Sequence, residues 1–531
     1  MPKTNEQIVG EGATYISIQI ITSIITGYLF WFILSKITTP EIIGTFAVTV
    51  SFADIFANVA IMGISYGIQP FLGKSFSERN LREAKVFVKA SLILLSLGII
   101  ATSTFILIAR DWIYSIFKID STLIAISISL LSSSSIYILL NSIVVSSLKT
   151  RVLPKIMIIS SVSKFIVATI LVLIGGGAVG LAIGYTFFGQ VLSAILLGVV
   201  IIKYFKLLSS SSPRLSSSSS TLSLSSTEKK PDINHSTIKR PPHVSFMYAL
   251  KKIWIASAAS WIPLLVPTIG SDLGTLVLFG SHGSNQAGVY FIALTIFTGI
   301  MSVTYSLFEI GLPTLSSMLD GRKRLTWHTI RLSLIISVPL SSALIFYSKE
   351  VLQLIGHEYA QGSLSLQVLL SSTLPYSVMT GIETLVYSYG NYRQSLTIGL
   401  AMNVPRTILY FILVPVYGSS GAAVSYTAGS MIGFVVSIII AKRIKMLVDW
   451  KSLAFIISIP SGIAFILNHF QINYILGIIL TIIFSYVLLL KLRILTRSDL
   501  RDSMGVLPKS ISNLTNKLFN KVEKRFGRFY D

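Results

Sequence analysis

Two similar stretches, one in each half of the chain, decide the fold: SSVSKFIVATILVLIGGGAVGLAIGYT, which begins at Ser160, and MNVPRTILYFILVPVYGSSGAAVSYT, which begins at Met402. Each reads as an apolar hairpin with one cation in the middle of its first arm, and the alignment places Lys164 opposite Arg406. A repeat with so long a period is not a solenoid. It indicates two homologous halves of one membrane bundle.

The same register extends the match in both directions. An offset of one residue in the loop brings Gly180–Thr186 opposite Gly421–Thr427, and upstream Arg151 falls opposite Arg393. Two weaker matches elsewhere support the duplication: Gly44-Thr-Phe46 and Gly288-Val-Tyr290.

The composition is that of a membrane protein. The 531 residues have a mean hydropathy of +0.75, with 52% hydrophobic and only 12% charged residues. Long apolar runs separated by short polar connections are typical of a helical membrane protein, and runs such as Gly477–Leu490 lack the alternation of a membrane β-barrel. We therefore predict an all-α polytopic membrane protein.

The net charge of +22 is explained by the topology of a membrane protein. Cytoplasmic loops of membrane proteins collect Lys and Arg, so we expect no nucleic-acid partner. The chain has no cysteine, which excludes disulfides and cysteine-ligated zinc. We expect neither a metal site nor a cofactor.

The apolar runs predict fourteen transmembrane helices in a 6+6+2 arrangement, because ~17–25 residues cross ~30 Å of hydrocarbon. The predicted spans are residues 13–35, 42–68, 86–109, 121–148, 153–174, 178–202, 253–280, 288–318, 326–347, 363–389, 394–416, 421–441, 452–468 and 473–490. They define an N-terminal half at 1–202, a Ser-rich linker at 203–252, a C-terminal half at 253–441, two additional helices at 442–490 and a basic tail at 491–531. Because an even number of spans separates the two copies, the halves should be parallel and pseudo-symmetric, with a substrate site between them.

Basic residues predict the orientation. One side of the predicted topology carries most of them: Lys74, Arg79, Arg82, Lys85, Lys149, Arg151, Lys155, Arg322, Lys323, Arg324, Arg393, Lys442, Arg443, Lys445, Lys451 and those of the tail. The other side carries Lys36, Arg110, Lys118 and Lys349. The first side is therefore predicted to be cytoplasmic, with both termini inside, in a multi-pass plasma membrane protein.

Two segments outside the predicted spans are polar or basic. The linker at 203–252 has a Ser-rich, low-complexity sequence, so we expect a disordered cytoplasmic tether; regulation by serine phosphorylation is the alternative. The tail places five apolar residues on one helical face: Ile511, Leu514, Leu518, Val522 and Phe526. This pattern suits a helix lying on the anionic inner leaflet, the alternative being a solvated tail.

Lys164 and Arg406 form the core of the predicted site. Each lies near the middle of its span, roughly 16 Å from the end, where a charge costs at least ~2.5–3.5 kcal/mol. They either form structural ion pairs with a carboxylate such as Asp54, or line a water-filled central cavity that receives an anionic substrate. Matched positions facing one cleft, and the bidentate fork of arginine, favour the second interpretation. Arg151 and Arg393 at the cytoplasmic mouth would guide the anion inward, although a positive-inside loop explains them equally well.

Three carboxylates in or near the spans are candidates for binding a coupling cation, H⁺ or Na⁺: Asp54, Asp272 and Glu383. They can instead neutralise the buried cations. Asp272 comes shortly after Pro263, Pro267 and Gly270. We expect these residues to bend or break the seventh span and to free carbonyl groups for a cation.

No catalytic constellation is visible. The longest predicted outer loop, Tyr347–Gly362, contains His357 and Glu358 without the HExxH spacing of zinc chemistry, and the sequence has no Walker A motif. We therefore predict that the protein is not an enzyme and is not driven directly by ATP.

Short motifs follow one another in a fixed order along the chain: Pro40-Glu41-Ile-Ile-Gly44, Leu312-Pro313 with Ser316, Gly356-His-Glu358-Tyr359, Asn403, and Pro415-Val-Tyr417-Gly418-Ser-Ser-Gly421-Ala-Ala423. In these motifs, over residues 10–490, the chain resembles the polysaccharide-transporter branch of the multidrug/oligosaccharidyl-lipid/polysaccharide exporter superfamily, which contains the O-antigen-type flippases. The long Ser-rich linker departs from the compact pattern of that family.

The resemblance implies a V-shaped bundle of twelve helices plus two more, which alternates between inward-open and outward-open states. The substrates of the family are glycans carried on polyprenyl phosphate or pyrophosphate and moved from the cytoplasmic to the outer face. The implied function is thus a flippase for a lipid-linked anionic glycan, with membrane lipids and glycan-assembly enzymes as further partners. Two alternatives stay open: a multidrug or cation antiporter of the same superfamily, whose central charge should be acidic, and a non-transporting membrane component of glycan assembly.

Overall fold

The computed structural model describes residues 19, 22, 26–78, 80–147, 150–210, 245–492 and 494. This part of the chain contains helices and turns but no β-strand, so the predicted all-helical class is confirmed. The start of the first predicted span, most of the linker, and the tail with its predicted surface helix lie outside the described residues, as do Arg79 and Lys149.

The N-terminal half begins with helical residues 26–37, here named α1. The helices that follow are α2 (Pro40–Ile61), α3 (Ile64–Gly67), α4 (Gln69–Ser77), α5 (Leu81–Ile108), α6 (Arg110–Phe117), α7 (Ser121–Ser146), α8 (Leu153–Leu171), α9 (Gly177–Ile183) and α10 (Leu192–Ser210). A 3₁₀ turn at Thr150–Val152 precedes α8, and the π-helical segments Val172–Gly176 and Gly184–Val191 flank α9.

The C-terminal half contains fewer and longer helices. They are α11 (Phe246–Ser317), α12 (Arg322–Phe346), α13 (Ser348–Ile355), α14 (Ser363–Ser371), α15 (Thr373–Ser388) and α16 (Tyr392–Arg443), with a 3₁₀ segment at His357–Gly362. Two more helices follow, α17 (Trp450–His469) and α18 (Tyr474–Lys491).

In the described part of the chain, nine helical stretches are long and apolar enough to cross a membrane. Three of them, Thr150–Lys206, Ser260–Glu309 and Tyr392–Arg443, have 57, 50 and 52 residues, about twice what ~30 Å of hydrocarbon requires. Each of these stretches consists of two helices that meet at a non-helical glycine, so the count of fourteen spans is not contradicted and stays a prediction.

Each of these long stretches contains a glycine with a positive φ. Gly177 (φ 50°, ψ −139°) and Gly418 (φ 58°, ψ −134°) share nearly the same conformation at the turns of the two repeated hairpins, and Gly283 (φ 82°, ψ −177°) interrupts α11. Residues with a Cβ rarely adopt these angles. The two arms then pack together, since a Cβ added to Gly184 would lie 2.7 Å from Ala168. The duplicated sequence therefore folds into duplicated hairpins.

The seventh predicted span does not break where the sequence suggested. α11 keeps helical angles through Pro263, Pro267 and Gly270, and its non-helical residue is Gly283. A proline is tolerated in a membrane helix where neighbouring groups compensate for the lost hydrogen bond. The break expected near Pro263, Pro267 and Gly270 is therefore absent, and the bend and the cation site near Asp272 stay predictions.

The two halves meet mainly where α2 packs against α11. Gly44 and Gly288, which the weaker sequence match pairs, lie against each other at this crossing. A Cβ on Gly44 would lie 1.8 Å from the carbonyl oxygen of Ser284, and one on Gly288 would lie 1.9 Å from that of Pro40. Glycine at both positions therefore lets the backbones of α2 and α11 cross in direct contact.

Helical structure covers both ends of the segment predicted as the linker, 203–252. α10 continues to Ser210 and α11 begins at Phe246. At the end of α10, the rings of Phe205 and Phe76 lie 6.0 Å apart, so apolar packing extends the helix beyond the predicted boundary.

The last two helices pack on α12. The hydroxyl groups of Ser342 and Ser461 lie 3.1 Å apart between α12 and α17, and Arg331 of α12 donates a hydrogen bond to the carbonyl of Ile494, beyond α18. These helices therefore attach to the C-terminal half mainly through α12, and the ring of Trp450 in α17 also lies 6.5 Å from that of Phe434 in α16.

Candidate functional site

Lys164 lies in α8, on the first arm of the N-terminal hairpin. Its Nζ is 4.6 Å from the ring centroids of both Phe30 and Tyr185. It forms no salt bridge within the described residues, so the alternative of an ion pair with Asp54 is not what the structure contains. Aromatic faces stabilise a cation without neutralising it, which leaves the charge available to an anion.

A cavity of about 300 Å³ opens beside Lys164. Its polar lining consists of hydroxyl and amide side chains: Thr26, Tyr137, Ser160, Ser161, Tyr185, Gln190 and Ser193. All the described residues that line it belong to the N-terminal half, and of these only Lys164 is charged. The cavity therefore offers one positive charge surrounded by neutral hydrogen-bonding groups, which is a suitable environment for an anion.

Arg406 lies at the matched position in α16, where its side chain is only 1% exposed. Nη1 donates to Oδ1 of Asn403 at 3.3 Å, and Nη2 donates to Oγ of Ser430 at 2.9 Å. The guanidinium carbon lies 3.7 Å from the ring centroid of Tyr426. Among the described residues, Nε has no hydrogen-bond partner and the guanidinium has no carboxylate partner. Neutral groups therefore hold this cation, and one of its donors stays unused.

The repeat explains both the similarity and the difference between the two cations. Tyr185 and Tyr426 occupy the same position in the two second arms, so each cation stacks on the tyrosine of its own hairpin. In the same register, Ser430 corresponds to Gly189, which has no hydroxyl. A Cβ on Gly189 would come within 3.1 Å of Cδ of Lys164. The glycine leaves space beside the lysine, whereas the serine bonds the arginine.

The two cations do not share one cavity in this structure. The lining of the cavity includes Lys164 but not Arg406, which is enclosed by its own hairpin. The expectation of one common water-filled cavity lined by both is therefore wrong for this conformation. The physical reason is that Asn403 of the first arm and Ser430 of the second arm hold the guanidinium between them by hydrogen bonds to Nη1 and Nη2.

Asp54 on α2 and Asp272 on α11 lie at the contact between the halves. Oδ1 of Asp272 accepts a long hydrogen bond of 3.4 Å from Ser51 of α2, and Oδ2 accepts another of 3.4 Å from Ser271. Asp54 lies three residues after Ser51, about one turn further along the same face of α2, and is therefore near Asp272. Neither carboxylate forms a salt bridge with any described residue. The structure thus brings together one acid from each half.

Glu383 lies elsewhere, in α15, where its Oε1 accepts a hydrogen bond of 3.2 Å from Ser395 of α16. Over the ranges that the structure describes, no group of three or more His, Cys, Asp or Glu side chains could hold a metal ion. Of the three coupling-cation candidates, Asp54 and Asp272 are therefore neighbours, and Glu383 is separate.

Arg151 and Arg393 are exposed at equivalent places. Arg151 lies in the 3₁₀ turn before α8, and Arg393 lies in the first turn of α16. Neither has a carboxylate partner among the described residues. Both therefore lie at the start of the hairpin arm that carries Lys164 or Arg406.

The sequence analysis missed the tyrosines that stack on the cations. The signal was present, because Tyr185 and Tyr426 precede a threonine at the end of both copies of the repeat. Gln190 and Ser193 of the cavity have no comparable signal, since their place in the wall depends on how the second arm packs.

Comparisons with known proteins show the fold. No protein-family model matches the chain, and no curated protein matches its sequence. Among solved structures, the lipid II flippase MurJ in an inward closed conformation has a TM-score of 0.66 at 18% identity, over 90% of this chain and 99% of that chain. An inward-facing multidrug resistance MATE family transporter of the MOP superfamily has a TM-score of 0.60 at 14% identity, over 82% and 98%. A MOP superfamily transporter from Pyrococcus furiosus with a binding pocket of reverse polarity has a TM-score of 0.52 at 13% identity, over 82% of this chain and 95% of that chain. The chain therefore has the polytopic membrane fold of these transporters and flippases.

Proposed function

We propose that the protein is a flippase that moves a lipid-linked oligosaccharide, carried on polyprenyl phosphate or pyrophosphate, from the cytoplasmic to the outer face of the membrane by alternating access. The observation that carries this proposal is the position of Lys164, a cation without a carboxylate partner among the described residues, in a polar cavity within the helical bundle.

The proposal includes the topology predicted from the sequence. Each of the three stretches of 50 or more residues would cross the membrane twice, on either side of its glycine turn. With the other helices this gives fourteen crossings as 6+6+2, with parallel halves and both termini cytoplasmic in the plasma membrane. The match in backbone angles at Gly177 and Gly418 supports the two-fold relation.

The size of the cavity limits what it receives. About 300 Å³ is the lower end of the range for small-molecule pockets, so the cavity would take the phosphate or pyrophosphate group and not a whole oligosaccharide. A phosphate cannot cross hydrocarbon without compensating partners. Lys164 would supply the charge, and Ser160, Ser161 and Gln190 would supply hydrogen bonds.

Arg406, Arg151 and Arg393 complete the proposed path. Arg406 would use its unpaired Nε toward the phosphate only after its own hairpin rearranges, because that hairpin encloses the guanidinium in this structure. Arg151 and Arg393, exposed at the start of the two hairpins, would attract the anion from the cytoplasmic side. Glycan-assembly enzymes would deliver the substrate there.

Coupling to a cation gradient is proposed at the contact between the halves. Asp54 and Asp272 would bind H⁺ or Na⁺ there, since two carboxylates without a basic partner among the described residues favour a bound cation. Glu383, which accepts a hydrogen bond from Ser395, would be a separate cation ligand. The driving ion would then bind where α2 and α11 must separate for the halves to rearrange.

The test is flipping of a pyrophosphate-linked polyprenyl glycan by the full-length protein in proteoliposomes. Lys164→Met should reduce flipping roughly 10- to 100-fold, the value of one charge-assisted hydrogen bond, and Lys164→Arg should retain most of it. Lys155→Met, on the same helix but exposed near its end, is the matched control and should leave flipping unchanged. Normal flipping by a folded Lys164→Met protein would contradict the proposal.

A cation antiporter is the second candidate, because Asp54 and Asp272 give the contact between the halves an acidic centre. In that case an organic cation would be exchanged by the same proteoliposomes, Asp272→Asn would abolish the exchange, and Lys164→Met would not. A non-transporting component of glycan assembly would move neither class of substrate.

A further inference from the structure

A second cavity, of about 490 Å³, lies between α5, α7 and α10, away from Lys164. Its walls are apolar along most of their length, with Leu92, Leu140 and Ile202 among them. One end carries three lysines, which are Lys85, Lys89 and Lys206. This groove is therefore amphipathic: an apolar channel that ends in a cluster of positive charge.

The length of the groove follows from helix geometry. Lys85 and Leu92 lie seven residues apart on α5, and Gly198 and Lys206 lie eight apart on α10, so the apolar part runs ~10–12 Å from the lysines. The groove is also open where Gly198 lines it, because a Cβ added there would meet no atom within 4 Å. The groove is therefore deep enough to hold part of a lipid acyl chain, with the lipid head group at the lysines.

The lysines are arranged for an anion. Lys85 and Lys89 are four residues apart on one helix, a spacing at which like charges repel each other. Neither forms a salt bridge within the described residues, and the nearby carboxylate of Glu83 instead accepts a hydrogen bond of 2.8 Å from Asn80. The Nζ of Lys85 lies 5.9 Å from the ring centroid of Phe205, which holds it at the mouth of the groove.

We propose that this groove binds a bilayer phospholipid with an anionic head group, whose phosphate contacts Lys85 and Lys89 while an acyl chain lies between α5, α7 and α10. Lysine side chains at the end of a membrane helix place their charge at the level of the lipid phosphates. The positive charge of the lysines favours an anionic lipid over a zwitterionic one. The apolar walls favour a lipid, which has an acyl chain, over a free phosphate ion. The site is distinct from the cavity of Lys164 and does not depend on the proposed substrate.

The experiment counts lipids bound to the purified full-length protein by native mass spectrometry, after exchange into an equimolar mixture of phosphatidylglycerol and phosphatidylcholine. The wild-type protein should retain phosphatidylglycerol in preference. Lys85→Gln with Lys89→Gln should weaken that retention about 25-fold, or about fivefold per lysine. The matched control, Lys442→Gln with Lys445→Gln, removes two exposed lysines elsewhere and should change nothing.

A second pair of variants tests the apolar part of the groove with the lysines intact. Gly198→Leu fills the open space and should displace the lipid, whereas Gly462→Leu, at a glycine of α17 that also has no atom within 4 Å of an added Cβ, should not. Each variant is first shown to elute from a sizing column like the wild type.

Four results would overturn the proposal. The first is equal retention of the two lipids by the wild type, and the second is unchanged retention by the lysine and Gly198 variants. The third is a change in oligomeric mass in Gly198→Leu without loss of lipid, which would make the groove an interface between copies. Preference for polyprenyl phosphate over phosphatidylglycerol would likewise assign the groove to the substrate and refute a phospholipid site.

Discussion

The close crossing of Gly44 and Gly288 gives the sharpest prediction about how the halves fit together. In Gly44→Ala, the new methyl group would lie 1.8 Å from the carbonyl oxygen of Ser284 and 2.6 Å from the amide nitrogen of Gly288. Both are backbone atoms of α11, so no side-chain rotation relieves the clash. The helices would have to separate by roughly 1 Å, and overpacking of this kind costs ~1–3 kcal/mol. Because the contact is between backbones, we expect the upper end, about 3 kcal/mol.

The assay is the free energy of unfolding of the purified full-length protein in mixed micelles, followed by tryptophan fluorescence. Gly73→Ala is the matched control, because a Cβ at that helical glycine would meet no atom within 4 Å. It should be neutral or stabilising by ~0.5–1 kcal/mol, as expected for alanine in a helix. Gly288→Ala should resemble Gly44→Ala, and the double variant should cost less than the sum, since both strain one contact. If Gly44→Ala behaved like Gly73→Ala, the halves would not be packed as closely as the structure has them.

The other predictions concern the matched cations and the acids. Arg406→Met should destabilise the protein by at least ~2 kcal/mol, because its buried polar partners lose a charged donor. Lys164→Met should cost no more than ~1 kcal/mol, because it loses only contacts with aromatic rings. The unfolding assay described above measures both values, and equal losses would contradict the difference in burial between the two cations. Because the chain has no cysteine, single cysteines can be introduced and labelled. Gln190→Cys should react with a small charged thiol reagent, and pyrophosphate should protect it. Asn403→Cys, at a position that is only 2% exposed, should react only when the protein is unfolded. Asp272→Asn should remove the dependence of flipping on an imposed H⁺ or Na⁺ gradient. In a protein that also carries Gln190→Cys, pyrophosphate should still protect the cysteine from the reagent. If flipping by Asp272→Asn still depended on the gradient, the coupling site would lie elsewhere.

The sequence was sufficient for much of the fold. A mean hydropathy of +0.75 and long apolar runs predicted an all-helical membrane protein, because only regular helices satisfy the backbone of such runs in hydrocarbon. The internal repeat also predicted that Lys164 and Arg406 are equivalent, and both stack on the tyrosine of their own hairpin. These features depend on local pattern and duplication, which an alignment of the chain with itself reveals.

The site was only partly predictable. Prolines and a glycine at 263, 267 and 270 suggested a broken helix, but helical angles persist there and the break comes at Gly283. Whether a helix tolerates a proline depends on what packs around it, which lies outside the local sequence. The pairing of Asp54 with Asp272 was equally invisible, because it arises from the contact of α2 with α11.

The sequence by itself determined that each of two repeated hairpins carries one cation in the middle of its first arm. Only the tertiary structure decided that Lys164 lines an open polar cavity while Arg406 is enclosed. The reason is a difference in the second arm: Gly189 leaves space next to the lysine, and Ser430 at the equivalent position bonds the guanidinium. Burial of a charge depends on whether neutral partners reach it across the packed arms, and that is fixed only when the hairpin closes.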